Sequence, residues 1–295
     1  MISDSYRNSH PFPLTVVIAT LGGDCLEETI RNLNSGSIVP SEVLICIPAS
    51  EAHKVSDRSF PNSKVIATAC KGQVAQRTIG FTNASCKYVM QLDDDVLVEK
   101  RCVEHLLRTL DANGPRVAVA PSLYCISTRE SFYRTPSNKL LLKFYYWLLN
   151  GSFGYQPGKI TSAGTNVGID PSDSDQETFD VDWLPGGCVI HRKENLVSEN
   201  FYPFAGKAYC EDIIHSHHLK TRGIKLVVSS KAICWVECAP ISSHSWRGFI
   251  KNLIFDFRAR LFFVRVTSRS FWRMALYYLV SVLRYGYIRL SKRVP

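Results

Sequence analysis

Three consecutive carboxylates, Asp93, Asp94 and Asp95, close the run Tyr88-Val89-Met90-Gln91-Leu92. Five mostly apolar residues read as a buried strand, so the acids fall at its end. In open α/β sheets, ligands bind in the crevice beyond the carboxyl ends of strands. Carboxylates this close repel one another and resist burial unless a cation or hydrogen-bond donors offset their charge. Hard divalent cations take oxygen ligands, often one or two carboxylates together with the phosphates of a substrate. Two readings stand on the triplet alone: a site for Mg²⁺ or Mn²⁺ carrying a diphosphate, or a solvated acidic turn.

The elements that must position these acids alternate between strand and helix. Leu14 to Ala19, Glu42 to Ile47, Lys64 to Thr68, Tyr88 to Leu92 and Val117 to Ala120 read as strands. Asp24 and Glu27 have capping-box spacing for a helix that runs to about Asn34, Gly72 opens another to about Thr82, and Arg101 to Asp111 forms a third. The alternation predicts an α/β domain with a mostly parallel, doubly wound sheet flanked by helices. Residues 122–180 break the pattern, and a connection this long is usually a lid or binding loop. Strand character returns at Gly187 to His191, at Lys225 to Val228 and at Ala232 to Val236, with a helix from Glu211 to before Gly223.

Several motifs stand in order along this frame. Val16-Val-Ile-Ala-Thr20-Leu-Gly-Gly23 is followed by Gly72-Gln-Val-Ala-Gln-Arg77-Thr-Ile-Gly80, by Leu92-Asp93-Asp94-Asp95, by Trp183-Leu-Pro-Gly186-Gly187, and by Glu211-Asp212 with His218-Leu219 and Gly223. Over roughly residues 12 to 245 the chain resembles the family 2 nucleotide-sugar-dependent glycosyltransferases of GT-A fold. The resemblance implies a DxD motif in which Asp95 binds Mn²⁺ or Mg²⁺, while Asp93 holds the ribose or the metal's water shell. It places Thr20, Gly72, Arg77, Asp93 and Asp94 at the nucleotide sugar, with Arg77 on the base or a phosphate, to which a forked guanidinium is suited. Trp183, Gly186 and Gly187 fall at the acceptor. Asp212 becomes the general base that takes the acceptor hydroxyl's proton, with Glu211 orienting the acceptor or the helix entry. A plain acidic pair stabilised by the helix dipole is the alternative for Glu211 and Asp212. One base and direct attack imply inversion at the anomeric carbon. His244, or Glu237 in its place, is a candidate for the metal or diphosphate. The second strand ends Cys46-Ile-Pro-Ala-Ser50 where the family usually has Asp-Asp-Gly-Ser, so the donor nucleotide stays open among UDP, dTDP and GDP.

Composition bounds the rest. The chain has 295 residues, 45% of them hydrophobic, enough for a full core, and a polar N-terminus without the apolar stretch of a secretory signal. Its ten cysteines sit mostly in apolar or amphipathic runs and form no CxxC pair, which predicts reduced thiols and a cytoplasmic protein. The charge is segregated. Residues 247–295 hold eleven Lys and Arg against one acid, Asp256, a net +10, which leaves the first 246 residues at −1 of the whole chain's +9. A near-neutral body argues against nucleic acid as partner.

Residues 1–245 are therefore read as the glycosyltransferase domain, with 122–180 as its lid or acceptor insertion, and 246–295 as a basic, amphipathic helical segment. Phe249, Ile250, Leu253, Ile254, Phe257, Leu261 and Phe262 recur at helical spacing among Lys251, Arg258, Arg260 and Arg265. The apolar run Met274 to Leu283 is about 15 Å long as a helix, too short for a hydrocarbon core of about 30 Å. It suits the interface of an anionic membrane, with Trp272, Tyr277, Tyr278, Tyr285 and Tyr287 at the boundary, or packing on the domain or on a partner subunit. The expected partners are a nucleoside diphosphate sugar, a saccharide or lipid-linked acceptor in surface polysaccharide assembly, and the cytoplasmic face of a membrane. A nucleotidyltransferase acting on sugar phosphates would share the sheet and the acids, but Thr20-Leu-Gly-Gly-Asp24 lacks the basic residue of its phosphate loop. A non-catalytic, membrane-associated nucleotide-sugar-binding protein is the reading from another class.

Overall fold

The computed structural model describes residues 11–56, 58–204, 206–238 and 245–291, and His244 lies outside them. In chain order the main elements are β1 (Phe12–Ala19), α1 (Cys25–Asn34), β2 (Pro40–Pro48), β3 (Ser63–Thr68), α2 (Gln73–Asn83), β4 (Tyr88–Asp93), β5 (Leu97–Val98), α3 (Cys102–Ala112), β6 (Val117–Cys125), α4 (Leu140–Asn150), β7 (Thr178–Asp180), β8 (Cys188–Arg192), α5 (Glu211–Thr221), β9 (Lys225–Val236), α6 (Trp246–Val266) and α7 (Phe271–Ser291). They form two compact units. Of the described residues, one comprises those from 11 to 132 with those from 170 to 237, the other those from 133 to 169 with 238 and 245–291. The expected insertion, 122–180, is thus divided between the two.

The first unit is built on a nine-stranded sheet ordered β3-β2-β1-β4-β8-β6-β9-β5, with β7 added beside β9. β1 to β4 are mutually parallel, while β8 runs antiparallel between β4 and β6. Leu14, Val16, Val17 and Ile18 of β1 are all fully buried, the unbroken apolar run of a strand covered on both faces. α1 buries Leu26, Thr29, Ile30 and Leu33, one stripe of a 3.6-residue helix. Its expected capping box does not form. Asp24 has helical dihedrals and makes no cap bond, and Glu27 pairs instead with Arg31 at 2.6 Å. α2 approaches the sheet through Gly80, where a Cβ would lie 2.3 Å from Val17 Cγ1 and 2.9 Å from Cys46 Sγ.

The two predicted C-terminal strands are one. β6 and β9 run parallel throughout, but between Pro121↔Ser229 and Ser122↔Ile233 the register jumps. The polar residues Ser230 and Lys231 that separate the two runs occupy this irregularity. Cys46, Cys102, Cys188 and Cys234 are buried free thiols, and burial pushes the Cys46 thiol up to about 12. Cys125 and Cys238 correct the expectation of reduced thiols, since both are disulfide-bonded. Neither cysteine sits in a motif that signals oxidation in sequence.

In the second unit, α6 and α7 pack through Val264, Met274 and Tyr278. Gly164, at φ +75, takes a conformation that favours glycine, and a Cβ there would sit 2.6 Å from Val264 Cγ2. Arg260 is buried, donating from Nη1 to the Gly164 carbonyl at 2.6 Å and from Nε to the Tyr278 hydroxyl at 3.2 Å. Its charge is met by Asp256 at 3.1 Å. Tyr278 and Tyr285, expected at a membrane boundary, are 7% and 1% exposed and belong to this packing.

Candidate active site

The C-terminal ends of β1 and β4 lie side by side, Ala19 opposite Asp93, and the three aspartates leave β4 into different surroundings. Asp93 Oδ1 accepts from Arg77 Nη2 at 2.5 Å and from Gln73 Nε2 at 3.0 Å. Its Oδ2 turns toward Gly187, where a Cβ would stand 3.4 Å away. Asp94 accepts from the Thr20 hydroxyl, and its carbonyl accepts from the Thr29 hydroxyl at 2.9 Å. Asp95 is exposed, and its carboxylate takes no side-chain bond among the described residues. The Asp94 carboxyl is raised above the usual carboxylate range by burial and by Asp93, with the Thr20 hydroxyl opposing. The Asp95 carboxyl is raised by the surrounding protein and by Asp93 and Asp94, against a small opposing pull from Lys207.

Arg77 ties this strand end to α5. Its guanidinium is 3% exposed and spans two carboxylates, Asp93 at 2.5 Å and Glu211 at 2.7 Å. Burial alone would lower its pKa, but Glu211 and Asp93 together raise it. Arg77, placed at a base or phosphate by the resemblance, is here a strut between two acids 118 residues apart in sequence. Glu211 and Asp212 begin α5 directly after Cys210, which takes the left-handed conformation at φ 56. Glu211 is buried, whereas Asp212 is half-buried and accepts from the N–H of Ile213 at 2.9 Å.

Gly186 and Gly187 make room for these acids. A Cβ on Gly186 would fall 2.3 Å from Glu211 Oε1. The Gly186 carbonyl accepts from Gln91 Nε2 at 2.6 Å, and the Gly187 carbonyl from the Asp93 N–H at 2.8 Å. Trp183, placed at the acceptor by the resemblance, is 3% exposed. Thr20 lies at the site through Asp94. Gly72 precedes α2, has extended backbone and forms a parallel bridge with Gly206, which draws the loop before α5 to the start of α2.

Sequence reasoning missed Gln73, Gln76 and Lys207. Gln76 is buried, and its Nε2 donates to the carbonyls of Thr20 at 2.8 Å and Cys46 at 2.7 Å, pinning the ends of β1 and β2. Positions 73, 76 and 77 share a helix face, a spacing that points all three at one place. Lys207 has no such signal, because only the pairing of Gly206 with Gly72 brings it within electrostatic reach of Asp95.

Among the described residues no cluster of three or more His, Cys, Asp or Glu is disposed to hold a metal alone. A cavity of about 430 Å³ lined by Arg116, Glu194, Asn195, Arg222 and Ile224 is remote from the acids, at the N-terminal ends of β6 and β9.

The model of the family described as "Glycosyl transferase family 2" matches residues 15–168. The chain belongs to glycosyl transferase family 2. Its architecture is that of the GT-A glycosyltransferases. A crystal structure of GalNAc-T7 with UDP, GalNAc and Mn²⁺ superposes with a TM-score of 0.54 at 16% identity, over 77% of this chain and 43% of that one. Residues 1–349 of TarS from S. aureus give 0.48 at 15% identity, over 76% of this chain and 60% of that one. The family 2 chain thus spans less than two thirds of either structure. No curated protein sequence matches it.

Proposed function

We propose that this family 2 chain transfers a sugar from a nucleoside diphosphate sugar to an acceptor hydroxyl, with a divalent cation and with inversion. The observation that carries the reading is the Arg77 fork, which fastens the donor-side acid Asp93 to the first residue of the Glu211-Asp212 pair. The residues fit a divalent cation. Asp95 and Asp93 Oδ2 remain uncommitted to other side chains, and burial together with repulsion from the neighbouring acids raises the Asp94 and Asp95 carboxyls, which a cation would relieve. Those oxygens would hold Mn²⁺ or Mg²⁺, and the donor's phosphates would complete its shell. When bound, the cation supplies neutralising charge to the departing diphosphate. The similar GalNAc-T7 structure was solved with UDP and Mn²⁺, which supports a UDP-type donor without excluding dTDP or GDP.

Asp212 takes the proton of the acceptor hydroxyl as its oxygen attacks the anomeric carbon. Held by Arg77, Glu211 fixes the start of the helix that carries Asp212. Direct displacement by one nucleophile on the face opposite the leaving group inverts the centre. The acceptor is a saccharide or lipid-linked saccharide, reached at the cytoplasmic face of a membrane to which the chain binds peripherally.

Equilibrium binding of UDP, dTDP and GDP with Mn²⁺ and with EDTA tests the site. One nucleotide should bind in a metal-dependent way, and Asp95→Ala should abolish this. Asp212→Asn should keep donor binding while turnover falls at least ~100-fold. Nucleotide binding that ignores both EDTA and Asp95→Ala would overturn the metal assignment. Unchanged turnover in Asp212→Asn would remove it as the base.

A further inference from the structure

α7 is apolar on two opposite faces. Met274, Tyr278 and Tyr285 are buried, as a helix packed on one side requires. Trp272, Leu276, Leu279, Leu283 and Tyr287 are all exposed, Trp272 by 77% and Leu283 by 63%. Their spacings of four, three, four and four residues set them in one stripe on the far side of the helix. A helix bordering water ordinarily turns a polar face outward, and an outer face of large apolar side chains marks an interaction surface.

The same unit shows two more such faces. On α4, Leu140, Leu141, Phe144 and Trp147 are exposed at helical spacing, Leu140 by 83%. Arg273 fastens the end of this helix to the start of α7 by donating to the carbonyls of Trp147 at 2.8 Å and Leu148 at 2.7 Å. On α6 the exposed stripe is basic: Arg247, Lys251, Arg258 and Arg265 recur at intervals of four, seven and seven, alongside the exposed Ile254 and Phe255. No helix among the described residues is long and apolar enough to cross a membrane.

We propose that the outer faces of α4, α6 and α7 dock the chain on an anionic lipid bilayer, with α7 lying in the plane of the interface and the basic stripe of α6 on the head groups. Charge decides between occupants. Residues 247–295 carry a net +10, which an anionic surface attracts, whereas a second copy would set like charge against like. In-plane binding by buried apolar area plus basic residues is how amphipathic helices hold to membranes. The inference rests on the peripheral-membrane part of the proposed function and adds α4, part of the expected lid, to the membrane face.

Flotation of the full chain with vesicles of phosphatidylcholine alone, or mixed with phosphatidylglycerol, is the test. The chain should float with the anionic vesicles, and added salt should release it. Leu279→Ser with Leu283→Ser should weaken binding at least ~10-fold, and each of Arg247→Ser and Lys251→Ser about fivefold. All four positions are solvent-facing, so circular dichroism and nucleotide binding should stay as in the parent chain. Absence of binding to anionic vesicles would overturn the proposal. So would vesicle binding indifferent to the four substitutions, or self-association that the Leu279→Ser, Leu283→Ser variant abolishes without any vesicle binding. Failure of the parent chain to bind any nucleotide, with its vesicle binding intact, would count against the donor site and leave the docking surface standing.

Discussion

At the scale of single residues, Arg77 decides most about the site. Removing one partner of a buried ion pair strands the other, at a cost of about 3–5 kcal/mol. Arg77 serves two acids, of which Glu211 is 9% exposed and Asp93 24%, so Glu211 bears most of that penalty. Arg77→Met is therefore expected to lose about 3–5 kcal/mol in urea unfolding. Arg77→Lys should recover part of this but not turnover, because an ammonium lacks the planar fork that spans both carboxylates. An Arg77→Met chain within ~1 kcal/mol of the parent would mean that the acids relax into water, since solvated pairs are worth about that little.

Among elements, α2 is the one whose placement matters most, because it carries Gln73, Gln76 and Arg77 together. Gly80 lets it lie on β1 and β2, and its would-be Cβ meets Val17 at 2.3 Å, inside any tolerable contact. Overpacking of this kind costs about 1–3 kcal/mol. Gly80→Ala should lose that much stability and also weaken nucleotide binding, since a displaced α2 carries the donors away from Asp93. Gly80→Ala with Val17→Ala removes the nearest obstruction and should restore part of both. Failure of that rescue, read by urea midpoint and nucleotide affinity together, would mean that α2 is placed by other contacts.

For the molecule as a whole, acid stability is set in part by two imidazoles in the first unit. His191 of β8 and His215 of α5 are buried with ring centroids 5.7 Å apart, and Phe201 stacks on His215 at 5.3 Å. Burial, with the nearby Arg77, pushes His215 down to about 3, and burial with His215 lowers His191. Both are thus neutral when folded, yet take up a proton near pH 6.5 when unfolded. Their contribution is complete above that pH and is lost as pH falls toward the folded values, because the unfolded chain then binds more protons. For His215 the loss between pH 6.5 and 5 is about 2 kcal/mol. His215→Phe should flatten this slope by about 2 kcal/mol over that range, measured as urea stability against pH. An unaltered slope would place the acid sensitivity in the carboxylates.

Much of this was legible because it is local. The apolar run of β1, the stripe of α1, the acids closing β4 and the acidic start of α5 follow from period and residue type, which backbone geometry converts directly into strand, helix and exposed end. The order of the motifs sufficed for the family, and the segregation of charge marked the tail. What the sequence could not supply was every relation between distant segments. It could not pair Arg77 with Glu211 or bring Lys207 to Asp95 through Gly206 and Gly72, since each depends on where the sheet order and helix packing set residues far apart in the chain. Nor could composition say which tyrosines of α7 face inward. An apolar residue is equally suited to a protein core and to lipid, and only the packing of α7 on its neighbours divides Tyr278 and Tyr285 from Trp272 and Tyr287.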